Sequence, residues 1–345
     1  MAEREGFEPS IRFCRILTFQ ASAFDHSATA PHALEDAPPS ARHRLPQAIA
    51  HRVRVGQSPH MLSLLLALLA LLTAPQTAPA TAPLPSDAAE ADWRPIPDDE
   101  LLVMTLAGNR TVVMRLAPSY APEHVANVRR LAVAHWWDDT SVYRVQENWV
   151  AQWGDPTEKK PLPADVAARP AAEFDIAGFR PAQQLSTDAY ARATGITADG
   201  WPVATNGSAA WLTHCYGTVG VARDALPDTG TGAELFTPVG GSARRLDRNY
   251  TIVGRVIDGM QYLSGLPRSD APMGMYASAT ERLPIVSVRL ASDMPEPSRP
   301  RYQYRAADNA RFAALIESKR NPKPPTIGLG GLDVCDVPLA TRRAP

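Results

Sequence analysis

Two polar side chains interrupt short apolar runs in a way that could serve chemistry. Arg144 lies within Val142-Tyr143-Arg144-Val145. Gln152 lies within Trp149-Val150-Ala151-Gln152-Trp153, which closes on Gly154-Asp155-Pro156. Arginine offers a rigid, permanently charged fork of N–H donors, and a glutamine amide offers one donor group and one acceptor. Such a pair can orient a neutral backbone and stabilise an atom that gains electron density, without a covalent step. The plainer alternatives are a surface ion pair for Arg144 and a bond within its own sheet for Gln152. Metal and nucleophilic chemistry have little material. Cys14, Cys215 and Cys335 form no CxxC motif or Cys/His cluster. Beyond residue 60 the histidines are His124, His135 and His214. No cofactor and no metal ion is expected. Asp228-Thr229-Gly230 is a single Asp-Thr-Gly triplet, whereas paired-carboxylate proteolysis needs two carboxylates sharing a proton.

The elements that must position these residues follow from patterning. Hydrophobic residues make up 45% of the 345 residues and charged residues 21%, with a formal charge of -1. This is the composition of a globular protein without bulk attraction to nucleic acid or anionic lipid. Residues 1–60 lack a sustained apolar period and read as a leader outside the folded protein: either a start codon placed upstream of the true one near Met61, or a disordered segment. Leu62–Leu72 is apolar but too short to span a bilayer. With Ala78-Pro79-Ala80 it fits a signal peptide over residues 61–80, with the periplasm as destination and no stable membrane span after cleavage. Residues 81–98 are expected to be a linker.

Leu101–Leu106 and Thr111–Leu116 read as a hairpin joined through Gly108-Asn109. Pro122 suits a first helical turn, and Val125, Val128, Leu131 and Ala132 continue at helical spacing. Further strands are expected at 141–145, 149–153, 217–222, 235–239, 251–257 and 284–290, with a short helix at 259–266. Many short strands and two helices predict a mainly β domain over 99–292, a closed antiparallel barrel capped by two helices. Residues 156–216 form a polar, proline-rich insertion without assignable structure. The extension 293–345 carries one helix, Asp308–Lys319, and a strap. Cys215 and Cys335 either pair, as an oxidising compartment permits, or remain as thiols.

Four blocks then resemble the cyclophilin family, in the family's order. Val142–Val145 with Trp149–Asp155 is similar to F-H-R-V-x-x-x-F-M-x-Q-G-G-D; Tyr143, Trp149, Val150 and Trp153 depart from it. Gly217–Arg223 resembles the strand that floors the proline pocket, Gly232–Phe236 resembles G-S-Q-F-F, and Leu246–Met260 resembles L-D-x-x-H-x-V-F-G-x-V-x-x-G-M. The resemblance implies a cyclophilin-like barrel and a peptidyl-prolyl cis-trans isomerase acting as a monomer on proline-containing polypeptide clients. It implies Arg144 as the catalytic residue. It also implies substrate binding by Trp149, Val150, Gln152, Ala222, Arg223, Glu234, Phe236, Leu246 and Tyr250. Arg223 and Glu234 replace the family's asparagine and glutamine. A cyclophilin-shaped peptide-binding or chaperone module with little turnover is the rival reading.

Overall fold

The computed structural model describes residues 87–241, 243–328 and 330–345. The leader and the signal-peptide segment lie outside the described residues. Eight strands close into an antiparallel barrel: β2 (Leu101–Leu106), β3 (Arg110–Leu116), β4 (Ser141–Val145), β5 (Val150–Gly154), β10 (Thr218–Val221), β11 (Leu235–Pro238), β12 (Ile252–Asp258) and β13 (Leu283–Leu290). The order around the barrel is β10-β11-β5-β4-β13-β2-β3-β12. The sequence-expected barrel strands are all present, within two residues at their ends. Closure leaves no unpaired edge in this sheet. The interior is filled by Leu102, Met104, Val112, Met114, Val142, Val219 and Val288, all buried.

Helix α1 (Pro122–Val133) packs Val125, Val128 and Leu131 into that core, and the short α2 (Gln261–Ser264) adds Leu263. No side chain of Ala121 caps α1. Glu173 does so from the insertion, accepting from the N–H groups of Glu123 (2.8 Å) and His124 (3.0 Å). A carboxylate there answers both the free N–H groups and the positive end of the helix. Burial raises the Glu173 carboxyl, but its bonds to His124 and to these N–H groups carry it below the usual range.

The structure differs from the sequence reading in two places. The insertion is not bare loop: β6 (Gln183–Gln184), β7 (Ala193–Ile196), β8 (Pro202–Thr205) and β9 (Ala210–Leu212) form a four-stranded antiparallel sheet. Within the expected linker, β1 (Trp93–Pro95) pairs with β14 (Tyr302–Arg305) of the C-terminal extension, which in turn pairs with β15 (Thr341–Arg343). The linker is thus tied down by backbone bonds that its proline content concealed. The extension's helix is α3 (Ala310–Arg320), capped by Asn309, whose side chain accepts from the Phe312 N–H at 3.0 Å. Cys215 and Cys335 are joined as a disulfide, their Cα atoms 5.2 Å apart. It fastens the extension to the residue run that leads into β10.

Candidate active site

Strands β4, β5, β10 and β11 are neighbours in the barrel, and they bring the chemistry-bearing residues together. Arg144 on β4 pairs in register with Gln152 on β5, and Gln152 with Phe236 on β11. Gly220 on β10 faces Phe236. A Cβ at Gly220 would lie 2.4 Å from the Phe236 ring, so the bare backbone there is what lets the ring lie flat on the strand.

Phe236 anchors an apolar cluster with Val150, Ala222, Leu246 and Tyr250, and Trp149 packs on its edge. All six were expected to line a proline pocket, and the fold gathers them. Tyr250 meets Phe236 edge-on, with ring centroids 5.5 Å apart. His214 also stacks on Phe236, with ring centroids 6.1 Å apart. Leu246 and Tyr250 flank Asp247, whose carboxylate accepts from the His214 N–H (2.8 Å), Trp211 Nε1 (3.0 Å) and Arg244 Nε (2.7 Å). Arg244 also reaches Asp188 at 2.6 Å. Trp211 and Asp188 belong to the insertion, so its sheet braces the segment that carries the apolar wall.

Beside the cluster opens a cavity of about 230 Å³. Arg144, Gln152, Ala222, Arg223 and Glu234 line it, together with Tyr143, Met273 and the insertion residues Glu158, Lys160 and Leu162. Ala222 both lines the cavity and belongs to the cluster, whereas Trp149, Val150, Phe236, Leu246 and Tyr250 belong to the cluster and do not line the cavity. Arg223 donates to the carbonyls of Asn249 (2.8 Å) and Asp224 (2.7 Å) and lies over the Tyr250 ring at 5.0 Å. It therefore supports the apolar wall as well as facing the cavity.

Arg144 is only 2% exposed. Its Nε donates to the Met273 carbonyl (2.7 Å), and its terminal nitrogens donate to Gln152 Oε1 (3.1 Å) and Gln146 Oε1 (2.7 Å). Every one of these acceptors is neutral. Burial pulls the guanidinium pKa down to about 10, still well above neutral pH, so the charge is kept. A buried cation held only by neutral oxygens carries a desolvation cost that no opposite charge offsets.

Gln152, expected to bind a substrate backbone, lines the cavity and is bonded within the protein. Its carbonyl accepts from Arg144 and its amide donates to the Tyr143 hydroxyl at 2.5 Å; both ends are committed inside the site, and the side chain holds Arg144. Glu234, expected to contact a substrate backbone, accepts from the Tyr143 hydroxyl (2.7 Å) and from the Asp155 N–H (2.8 Å). Sequence reasoning did not find Met273 or Gln146. Met273 acts through its main chain, which leaves no side-chain signature. Among the described residues no group of three or more His, Cys, Asp or Glu side chains is arranged to hold a metal ion.

A family model described as cyclophilin type peptidyl-prolyl cis-trans isomerase/CLD matches residues 101–290. Among solved structures, the cyclophilin AquaCyp293 from Hirschia baltica is similar at 22% identity and a TM-score of 0.57, over 74% of this chain and 98% of its own. A cyclophilin-type isomerase of Cryptosporidium parvum, solved in the presence of the dipeptide Ala-Pro, matches at 14% identity and a TM-score of 0.38, over 55% of this chain and 98% of its own. No curated protein matches the chain in sequence.

Proposed function

Because this chain belongs to the cyclophilin-type peptidyl-prolyl cis-trans isomerase family, we propose that it accelerates X–Pro rotation in exported proteins, with Arg144 stabilising the twisted imide. The barrier, about 18–20 kcal/mol, comes from amide resonance. As the bond twists, the nitrogen leaves conjugation and gains a lone pair. A donor fixed beside that nitrogen binds the twisted form better than the planar one, and that difference lowers the barrier. The proline ring rests on Phe236, Leu246 and Tyr250, and no covalent intermediate is required.

One observation carries this reading. The Arg144 guanidinium has no carboxylate partner among the described residues and lies one strand away from the apolar cluster built on Phe236. A buried charge is costly unless it is paired, and Arg144 has only neutral acceptors. The Cys215–Cys335 disulfide and the apolar run 62–72 support export to the periplasm, because disulfides persist in oxidising compartments. The charge of -1 supports a polypeptide client over a nucleic acid, and we take the acting species to be the monomer.

The rival reading, a peptide-binding module without turnover, is favoured by a specific feature: each Arg144 nitrogen is already bonded inside the protein. A protease-coupled assay on a proline tetrapeptide separates the two. Wild type should accelerate isomerisation and Arg144→Ala should lose most of that rate. Equal acceleration by both proteins overturns the mechanism, and tight peptide binding without acceleration by either establishes the module.

A further inference from the structure

Four side chains, two from β4, one from β5 and one from the residue that leads into β11, form one directed chain of hydrogen bonds. Arg144 donates to Gln152 Oε1 (3.1 Å), Gln152 Nε2 donates to the Tyr143 oxygen (2.5 Å), and the Tyr143 hydroxyl donates to Glu234 Oε2 (2.7 Å). Glu234 Oε1 accepts from the Asp155 N–H (2.8 Å). Every donor points the same way and the chain ends on one carboxyl group. Its seat is made by Gly154, at φ +147°, where a Cβ would lie 2.1 Å from Glu234 Oε2. The resemblance places histidine at position 143 and glutamine at 234, so the acidic end of this chain, Tyr143 and Glu234, is where the protein departs from the family pattern, while Arg144 and Gln152 keep to it.

We propose that Glu234 is a positioning residue for Arg144, acting through Tyr143 and Gln152, and that the proton on its carboxyl decides whether the chain of donors holds. The inference rests on the isomerase reading above. With the carboxylate ionised, all the bonds are satisfied in the orientation observed. With the carboxyl protonated on Oε2, its own O–H competes to donate to Tyr143. The Tyr143 proton must then find another acceptor, and the one within reach is Gln152 Oε1, after the amide flips. That flip takes away the acceptor that holds Arg144 and turns an NH₂ group toward a cation. The ionised form is therefore the aligned, active form.

The surroundings place this proton in a usable range. Burial raises the Glu234 pKa to about 8; the bonds from Tyr143 and Asp155 oppose the rise, and the charges of Asp155 and Glu158 add to it. Asp155 itself stays ionised: burial raises it, but the N–H groups of Lys160, Thr157 and Lys159 bring it below the usual range. The cations on the cavity wall are Arg144, Lys160 and Arg223, and Asp224 and Asp228 complete its charged groups. Lys160 is directed away, donating to the Asp138 carbonyl at 2.6 Å. Burial, then the charge of Glu234, pushes the Tyr143 hydroxyl far above its ordinary value, so it remains a donor throughout.

The test is kcat/KM for a proline tetrapeptide between pH 6.5 and 9.0, read by NMR exchange spectroscopy so that no coupling protease contributes its own pH dependence. The uncatalysed rotation involves no titrating group in this window. Wild type should rise several-fold with a midpoint near 8. Tyr143→Phe and Glu234→Gln should both be flat. In Glu158→Gln the step should survive at a lower midpoint, because a charge that raises the Glu234 pKa has gone. A second readout, the 15Nε shift of Arg144, should titrate with the same midpoint in wild type and not in Tyr143→Phe; should that variant fail to fold, Glu234→Gln carries the comparison. An active wild type with a flat profile, or a step that persists in Tyr143→Phe or Glu234→Gln, overturns the proposal. A wild type inactive at every pH sinks the isomerase reading instead, and the 15Nε titration then decides the positioning claim by itself.

Discussion

The two halves of the candidate site are held by different physics. The apolar half, Phe236 with Val150, Ala222, Leu246 and Tyr250, is held by contact and shape, and its members need only be hydrophobic and of compatible size. The polar half, Arg144 with Gln152, Tyr143 and Glu234, is held by directional hydrogen bonds that end on a carboxyl group able to gain a proton. A contact of the first kind is insensitive to pH and answers to volume and shape. One of the second kind is specific, directional and costly when half satisfied. Under the proposed reading the difference divides the labour: the apolar side would hold the peptide, and the polar side would set the rate and its pH dependence.

Substitutions that touch one half alone should break this symmetry in opposite senses. The largest effect is expected from Arg144→Met, which keeps an apolar stem and deletes the charge. Isomerisation should fall roughly 100- to 1,000-fold, the usual scale for removing one electrostatic donor. Thermal stability should hold or rise, since a buried cation without a carboxylate partner is exchanged for packing; a large fall in Tm would show that the guanidinium is structural. Phe236→Ala should do the reverse, costing about 3–5 kcal/mol of stability in denaturant unfolding and weakening peptide binding throughout the pH range. A Phe236→Ala protein as stable as wild type would mean that the cluster is not packed as described.

A smaller effect concerns pH. Glu234 has an ordinary pKa of 4.5 and one of about 8 when folded. Below 4.5 both folded and unfolded chains hold the proton, so its contribution is greatest there. As pH rises toward 8 the unfolded chain releases the proton first, and stability falls. The difference in unfolding free energy between wild type and Glu234→Gln should therefore shift against wild type from pH 5 to 8.5. A difference that does not move with pH contradicts the assignment. Carboxyls held below their usual range, such as Asp155 and Asp247, act oppositely and only at acid pH. The smallest effect is expected from Glu173→Ala, which uncaps α1 from a distance: about 1 kcal/mol of stability, with kcat/KM unchanged. A loss of activity there would tie the insertion to catalysis through the helix.

The same division explains what was legible in the sequence. Barrel strands announce themselves by alternation and by turn residues, and the apolar wall lies in motif blocks that also match the family, so both were readable from residue types alone. The insertion sheet was not readable. Its strands are as short as Gln183–Gln184, and β8 begins at Pro202, so period and propensity point away from a sheet that only tertiary contact stabilises. The pairing of β1 with β14 joins residues at opposite ends of the domain and has no local signature. The bonds that Gln152 and Glu234 make within the protein were not legible for a related reason. Their shared partner, Tyr143, lies 9 residues from one and 91 from the other, and nothing in a linear reading joins the three.

The central claim is geometric: a proline ring settles on Phe236 and Leu246 while Arg144 faces its nitrogen. Isotope-filtered NMR on the wild-type protein with a proline tetrapeptide tests it most directly. Contacts from the proline ring protons to Phe236 and Leu246, together with a peptide-dependent shift of the Arg144 Nε–H as it exchanges the Met273 carbonyl for the ligand, are the predicted result. Proline contacts on another face of the barrel, with the Arg144 signal unmoved at saturation, would contradict the account.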